Sequence, residues 1–372
     1  MKKIPFLKPN LVKQDSFQEY ISQIEKTRQY SNYGPLNTVF ESRVLSEYFN
    51  GIGGVTTVNN ATIGLMLAIN QIKRPEGCFA LMPSFTFSAT PLAAMWCGLE
   101  PYFVDINKED WCMNKDQIED ILAKKADKIA VIVPYATFGT NMNLSFYRDL
   151  HEQGLPVVID AAPCFGTMGV NGAFSTGFPG ISVFSLHATK SFGIGEGGLI
   201  YSSDDNAINE IRQAGNFGFS SNRETVSKGL NSKLSEYGAA IALATLDVFL
   251  EKREIRQKIF EQYRKEFQSV PFLKENWAMQ KTEGQIAHQF MSVLCPEDHT
   301  NADYVKLLAD NHIEARTYFS PVCHQQKFFS AFNQTDLSVT NKISKRIISL
   351  PLWEEMKKED VNMIVTVLSK GL

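Results

Sequence analysis

The stretch 183–200 reads VFSLHATKSFGIGEGGLI: an apolar start, a polar cluster ending in Lys190, a glycine-rich bend and a return to apolar residues. Lysine carries a strongly hydrated point charge whose pKa shifts readily when water is removed. Between two buried-looking segments it is either a loop-tip residue with its ammonium in water or a chemical tool. ISVFS (181–185) has the short, β-branched and aromatic composition of a buried strand. In GIGEGGLIYS (193–202) the glycines let the backbone pass close to a ligand before a further strand begins. Lys190 therefore sits in a concave loop between strands, and its role depends on what the fold brings beside it.

Outward from this loop the chain alternates two patterns. GCFALMPS (77–84), LEPYFVDI (99–106), KIAVIVPY (128–135) and LPVVIDAA (155–162) read as buried strands, being short, apolar and bounded by Gly, Pro or Asp. ATIGLMLAINQIK (61–73), MNKDQIEDILAKK (113–125) and LSFYRDLHEQG (144–154) read as helices. Strand and helix in alternation imply right-handed crossovers and predict an α/β fold, a mostly parallel sheet with helices on both faces. Ligands of such sheets bind beyond the carboxyl ends of the strands. Residues 235–267 form a long helical stretch that can link two domains, and a smaller α+β unit is expected after it. Its expected strands are HQFMSVL (288–294) and IEART (313–317), and its helices TNADYVKLLADN (300–311) and KEDVNMIVTVLS (358–369). The expected division is a large domain over 1–245, with the N-terminal segment, and a small C-terminal domain over 246–372.

A chain of 372 residues exceeds most single cores, and 44% hydrophobic with 21% charged residues is ordinary for a globular protein. The net charge of −3 provides no electrostatic footprint for nucleic acid or an anionic membrane. It leaves room for a local basic pocket. The six cysteines are scattered without close pairs and read as reduced thiols. MKKIPFLKPN (1–10) lacks the apolar stretch of a signal peptide, and no run approaches a membrane span. A soluble cytoplasmic protein without nucleic-acid or membrane partners is expected.

Other segments supply candidate chemistry. In VVIDAAPCFGT (157–167), Asp160 ends an apolar strand where parallel sheets present ligand-facing residues. An acid there is a helix cap or turn former, or a carboxylate holding a cation in low dielectric; a pyridinium nitrogen fits the second description. In TVNNATIGLMLAI (57–69), Asn59 or Asn60 can cap a helix whose free N–H groups at 60–62 form an anion site, better so if the Thr62 and Ser185 hydroxyls converge on it. PSFTFSAT (83–90) places Phe85 and Phe87 in a turn just after a strand, where an aromatic packs in the core or lies flat on a heterocycle. His187 and His324 have no ligand-spaced companions, so no metal site is expected. GIGEGG (193–198) is not a dinucleotide loop, because it follows a lysine-bearing loop instead of joining a first strand to its helix.

Taken in order, these segments resemble the DegT/StrS family of nucleotide-sugar aminotransferases, which depend on pyridoxal phosphate. The resemblance runs through SNYGPLNTVFE (31–41), TVNNATIGLMLAI, residues 83–106, DAAPCFG (160–166), FSLHATKSFGIGEGGLI, residues 214–240 and LPLWEEMKKEDV (350–361). It implies the aspartate aminotransferase fold (fold type I) in a homodimer whose active sites lie at the subunit interface. By the resemblance, Lys190 is the lysine that joins the cofactor, Asp160 partners the pyridine nitrogen, and Phe87 stacks on the ring. Ser185, Ala61 and Thr62 match the phosphate cradle, and Asn231 matches a residue reaching the neighbouring subunit's cofactor phosphate. Lysine at position 190 argues for amino transfer, since members with histidine there are dehydratases.

Two positions depart from the family pattern. Members usually carry histidine or glutamine after DAA, touching the cofactor's ring oxygen, and Pro163 offers no donor. The usual SGT element is Asn60, Ala61, Thr62.

The implied reaction is ping-pong. L-glutamate donates its amino group, the Lys190 amine moves the proton, and the nitrogen passes to a nucleoside-diphosphate 4-keto-6-deoxy sugar. Such 4-amino sugars belong to bacterial surface polysaccharides, including lipopolysaccharide O-antigen. Arg223, Arg316 and Tyr318 are candidate substrate-binding residues, the arginines because their forks match diphosphate oxygens. The alternatives are a cofactor-binding sensor on the same fold, and amination at C3 of the sugar or of another ketone.

Overall fold

The apolar runs expected as strands between residues 77 and 202 fall into one continuous sheet. The computed structural model, which describes residues 3–371, forms β1 (Gly54–Val58), β2 (Phe79–Pro83), β3 (Glu100–Val104), β4 (Ile129–Ile132) and β5 (Val158–Asp160). A small hairpin, β6 (Met168–Gly169) with β7 (Gly172–Ala173), precedes β8 (Ile181–Ser185) and β9 (Gly198–Ser202). β3, β2 and β4 pair in parallel, and β5, β8, β9 and β1 are neighbours in that order. Parallel bridges Ile132–Val157 and Tyr135–Asp160 join β4 to β5 and complete the order β3-β2-β4-β5-β8-β9-β1. Only β9 runs against its neighbours in this sheet, so the mostly parallel expectation holds.

Successive strand side chains point to opposite faces, and here both faces are apolar. On one face Ala80, Met82, Val183 and Ile200 pack with Leu65 and Ile69 of α3 (Ala61–Ile72). On the other, Leu81, Phe184, Leu199 and Tyr201 pack with Phe40, Val44 and Phe49 of α2 (Pro35–Phe49), which follows α1 (Gln18–Thr27). α4 (Ala89–Trp96) and α7 (Asp205–Ala214) join the first face, and α5 (Lys115–Lys125) and α6 (Ser145–Glu152) the second. α5 starts where Asn114 accepts the Gln117 N–H, an Asn cap of the usual kind.

The long helix α8 (Glu236–Ser269) passes from one core to another, and the position expected as the domain boundary lies inside it. Its Leu243 and Phe249 pack under the large sheet, whereas Ile259, Tyr263 and Phe267 pack with Met291, Ile348 and Ile364. This second core is built from α9 (Pro271–Asn276), β10 (Ala278–Met279), β11 (Met291–Leu294), α10 (Asn301–Asp310), β12 (Ile347–Leu350) and α12 (Lys358–Ser369), with β10, β11 and β12 forming an antiparallel sheet, whereas Ile343 of α11 (Ser338–Ser344) packs with Trp111 and Phe290. Among the described residues no helix is long and apolar enough to cross a membrane, and all six cysteines are free.

Two expectations need correction. IEART (313–317) is not a strand: Ile313 bridges Ile4 and Arg316 bridges Ser349, so the segment spans two different partners without building a ladder on either. The second concerns the chain after 320, which does not stay with the small core. Cys323, Phe329 and Leu337 pack against the large sheet. Phe103 N donates to Asn333 O at 2.9 Å and Thr335 N to Phe103 O at 2.9 Å, covering the outer edge of β3.

Candidate active site

The carboxyl ends of the parallel strands gather the residues expected to carry chemistry. Asp160 is the last residue of β5 and Ser185 the last of β8, while Lys190 follows in the loop to β9. β9 starts at this same end because it runs the other way, and its first residue, Gly198, is paired with both Ser185 and Val58.

Asp160 is buried, 3% exposed, and its carboxylate is already oriented. Oδ1 accepts the Ala162 N–H at 3.1 Å and Oδ2 the Thr90 hydroxyl at 2.6 Å, with the Thr86 hydroxyl 2.8 Å from that of Thr90. Burial pushes the Asp160 pKa above the usual carboxylate value, and Thr90, the Ala162 N–H and Lys190 each pull it back. An acid in this position gains from a cation placed beside it. Lys190 answers in the opposite sense: burial pulls its ammonium below the ordinary value, and the Asp160 charge partly restores it. A lysine so lowered has more free amine near neutral pH, the state that acts as nucleophile or base. Its Nζ donates to Gln289 Oε1 at 3.3 Å.

Asn60, not Asn59, caps α3: its Oδ1 accepts the Ile63 N–H at 2.9 Å, and its carbonyl accepts the Gly64 N–H at 3.1 Å. The Ala61 and Thr62 N–H groups lie in the first turn, where a helix has no carbonyl to offer them, and the positive end of its dipole points there too. A Cβ on Gly198 would stand 2.9 Å from Ala61 N and 2.8 Å from Val58 Cγ2, so only glycine lets the Ser185 strand end approach this helix start. Asn59 belongs to the adjoining turn, with its N–H donating to Ser232 O at 2.6 Å.

Phe85 and Phe87 part company. Phe85 is fully buried, edge-on to Trp111, Phe138 and Phe319, whereas Phe87 is 60% exposed with its ring 6.4 Å from that of Phe319. Tyr318 belongs to the same aromatic group, 5.8 Å from both Phe6 and Phe319. Arg316 is exposed, with its Nη1 donating to the Ala315 carbonyl at 3.0 Å. Arg223 stands exposed in a turn at φ 64°, and Asn231 is exposed one residue before the Ser232 carbonyl that meets Asn59. His187 Nδ1 lies 2.8 Å from Thr189 Oγ1, and His324 lies between Ser84 (2.7 Å) and Asn341 (3.1 Å). Among the described residues no three His, Cys, Asp or Glu side chains are grouped to hold a metal. Thr90 and Gln289 are the polar contacts of the centre that sequence reasoning did not single out.

The donor set matches pyridoxal phosphate at three points. A buried carboxylate is held ready for a cationic nitrogen, an amine of lowered pKa faces it, and a capped helix start kept open by Gly198 provides an anion site. The sequence profile of the DegT/DnrJ/EryC1/StrS aminotransferases matches residues 12–369. The chain belongs to this aminotransferase family. DegT-family enzymes depend on pyridoxal phosphate, and the fold is their fold type I. A solved Bacillus cereus structure, proposed to be a PLP-dependent aminotransferase, is 50% identical with a TM-score of 0.97, covering 99% of this chain and 100% of that one. The structure of DesI, solved in the presence of its TDP-sugar product, is 27% identical with a TM-score of 0.89, over 100% of this chain and 93% of the other. The Escherichia coli dTDP-4-amino-4,6-dideoxy-D-glucose transaminase is 26% identical, over 99% of this chain and 98% of the relative. The DegT-family protein described here is thus a sugar aminotransferase with relatives that act on nucleotide sugars.

Gly198 gives this site a direct test. Gly198→Ala places a methyl group against Ala61 N and is expected to weaken pyridoxal phosphate binding by about tenfold or more, which is ~1.4 kcal/mol. Titration of the apoprotein by fluorescence quenching measures it; unchanged affinity would remove the phosphate from the start of α3.

Proposed function

We propose that the protein transfers the amino group of L-glutamate to C4 of a nucleoside-diphosphate 4-keto-6-deoxy sugar. The observation that carries the reading is the buried Asp160, oriented by Thr90 and the Ala162 N–H and paired electrostatically with the low-pKa amine of Lys190. Bound pyridoxal phosphate supplies the electron sink that makes a proton on an amino-bearing carbon acidic. Asp160 holds the ring nitrogen in its protonated state, which keeps that sink effective. Lys190 joins the cofactor through Nζ and, when displaced by the amino donor, uses the same atom to move the proton from the donor's α-carbon. Ala61 and Thr62 N–H and the Ser185 hydroxyl hold the phosphate, with Asn60 fixing the helix start. Phe87, which is 60% exposed, covers one face of the ring.

Arg223, Arg316 and Tyr318 are proposed to meet the nucleotide-sugar, and the names of the E. coli relative and of the DesI complex support that substrate class. The working unit is proposed to be a cytoplasmic homodimer in which Asn231 reaches the partner's cofactor phosphate. Asn231 is exposed on a segment that also exposes Phe217 and Val226. A product in bacterial surface polysaccharide fits this chemistry.

The test uses 15N-labelled L-glutamate with TDP-4-keto-6-deoxyglucose, followed by NMR of the product. Nitrogen at C4 of the sugar supports the assignment. Label retained wholly in glutamate here and with the UDP- and GDP-linked 4-keto-6-deoxy sugars would refute it.

A further inference from the structure

Pro163 follows Ala162 beside the Asp160 strand end and carries neither a side-chain donor nor a backbone N–H. The side chain that meets the Lys190 amine comes from far along the chain: Gln289, 99 residues on, places Oε1 3.3 Å from Nζ. Gln289 is only 8% exposed, and among the described residues its Nε2 donates to no partner. A primary amide carries two N–H donors, and those of Gln289 are left available beside the Lys190 amine.

The surrounding structure holds this amide in place from both sides. Arg256 Nη1 donates to the carbonyls of His288 at 3.0 Å and Gln289 at 3.3 Å, while its Nε meets Glu354 at 2.8 Å in an ion pair whose side chains are each 6% exposed. At the other end Gln285 and Met168 exchange backbone hydrogen bonds of 2.8 and 3.0 Å, and Ala287 N donates to Thr167 Oγ1 at 3.1 Å. The segment 285–289 is therefore clamped between the loop that follows Pro163 and the strand β11. A rigid, buried and otherwise unpartnered amide faces the reactive amine.

We propose that Gln289 is a cofactor-contacting residue whose Nε2 donates to the phenolic ring oxygen of pyridoxal phosphate, the contact Pro163 is unable to make. That oxygen is carried on the ring carbon next to the one bearing the aldehyde to which lysine joins, so a donor beside the lysine nitrogen is within its neighbourhood. The proposal rests on the transaminase reading of the site.

The test is the visible absorption of the holoenzyme across pH. A donor on the ring oxygen favours its anionic form, most strongly once the proton shared with the lysine nitrogen has left, and so lowers the midpoint of the colour change. Gln289→Leu is expected to raise that midpoint by about one pH unit, and Gln289→Glu, which replaces a donor by an acceptor, by at least as much. Adding Pro163→His to Gln289→Leu is expected to bring the midpoint back toward that of the unmodified enzyme. A midpoint unmoved in Gln289→Leu while KM for the amino donor rises would overturn the proposal and make Gln289 a substrate contact. Should the leucine variant fail to fold, Gln289→Glu decides alone, and an unmoved midpoint there overturns it equally. Failure of the underlying reading is distinct, since the unmodified protein would then show no visible band with pyridoxal phosphate.

Discussion

Lys190→Ala is expected to abolish covalent capture of pyridoxal phosphate and to lower amino transfer by about 10⁴-fold or more, because one side chain is proposed to supply both the covalent link and the proton shuttle. The two losses have separate readouts. Borohydride reduction followed by mass spectrometry reports the link, and 2-oxoglutarate release reports turnover. Lys190→Arg separates charge from chemistry: it keeps a cation opposite Asp160, yet a guanidinium does not deprotonate near neutral pH and is expected to be equally inactive. Retained turnover in either variant would move the chemistry away from this loop.

The second large effect is expected at Asp160. Asp160→Asn keeps the shape and one acceptor, for the Ala162 N–H, while its NH2 must donate to the Thr90 hydroxyl instead of accepting from it, and it removes the charge proposed to hold the ring nitrogen protonated. Breaking a buried charge pair costs ~3–4 kcal/mol, equivalent to about a 200- to 1000-fold fall in kcat/KM. Because the link through Lys190 does not need that charge, the variant is expected still to capture the cofactor covalently. Single-turnover kinetics with L-glutamate check this, and a loss of less than about tenfold would show that Asp160 is only a structural acid.

Much of this architecture was legible because local pattern and tertiary environment agree. The runs 77–84, 99–106, 128–135 and 155–162 are mostly apolar, and each contributes a strand that is largely buried in the sheet. Asp160 and Lys190 could be read locally because Asp160 closes an apolar strand and Lys190 ends the short polar loop after another, at the end of the sheet where ligands bind. The choice between Asn59 and Asn60 needed the structure, since either residue type caps a helix and only geometry shows which carbonyl oxygen reaches the Ile63 N–H. Phe85 and Phe87 differ for a similar reason: both occupy the same turn, and burial of one against Trp111 and Phe138 leaves the other exposed.

Other features leave no local trace. Thr90 lies inside the stretch singled out for its aromatics, and its value comes from a 2.6 Å hydrogen bond to a carboxylate 70 residues later. Gln289 reaches Lys190 across 99 residues and is held by Arg256 from a third element, so no window of sequence contains the arrangement. IEART has the composition of a strand but lacks a continuous neighbour, and strand formation depends on that neighbour as much as on composition. Residues 333–335 similarly return to β3 because its outer edge needs covering.

The most direct test of the central claim is the absorption spectrum of the pyridoxal phosphate-loaded protein, recorded before and after addition of L-glutamate without any sugar. The account predicts a visible band that L-glutamate bleaches, with release of close to one 2-oxoglutarate per loaded site, and no such lysine-linked band in Lys190→Ala. A band that L-glutamate leaves unchanged, with no 2-oxoglutarate formed, would contradict glutamate-dependent amino transfer at this site.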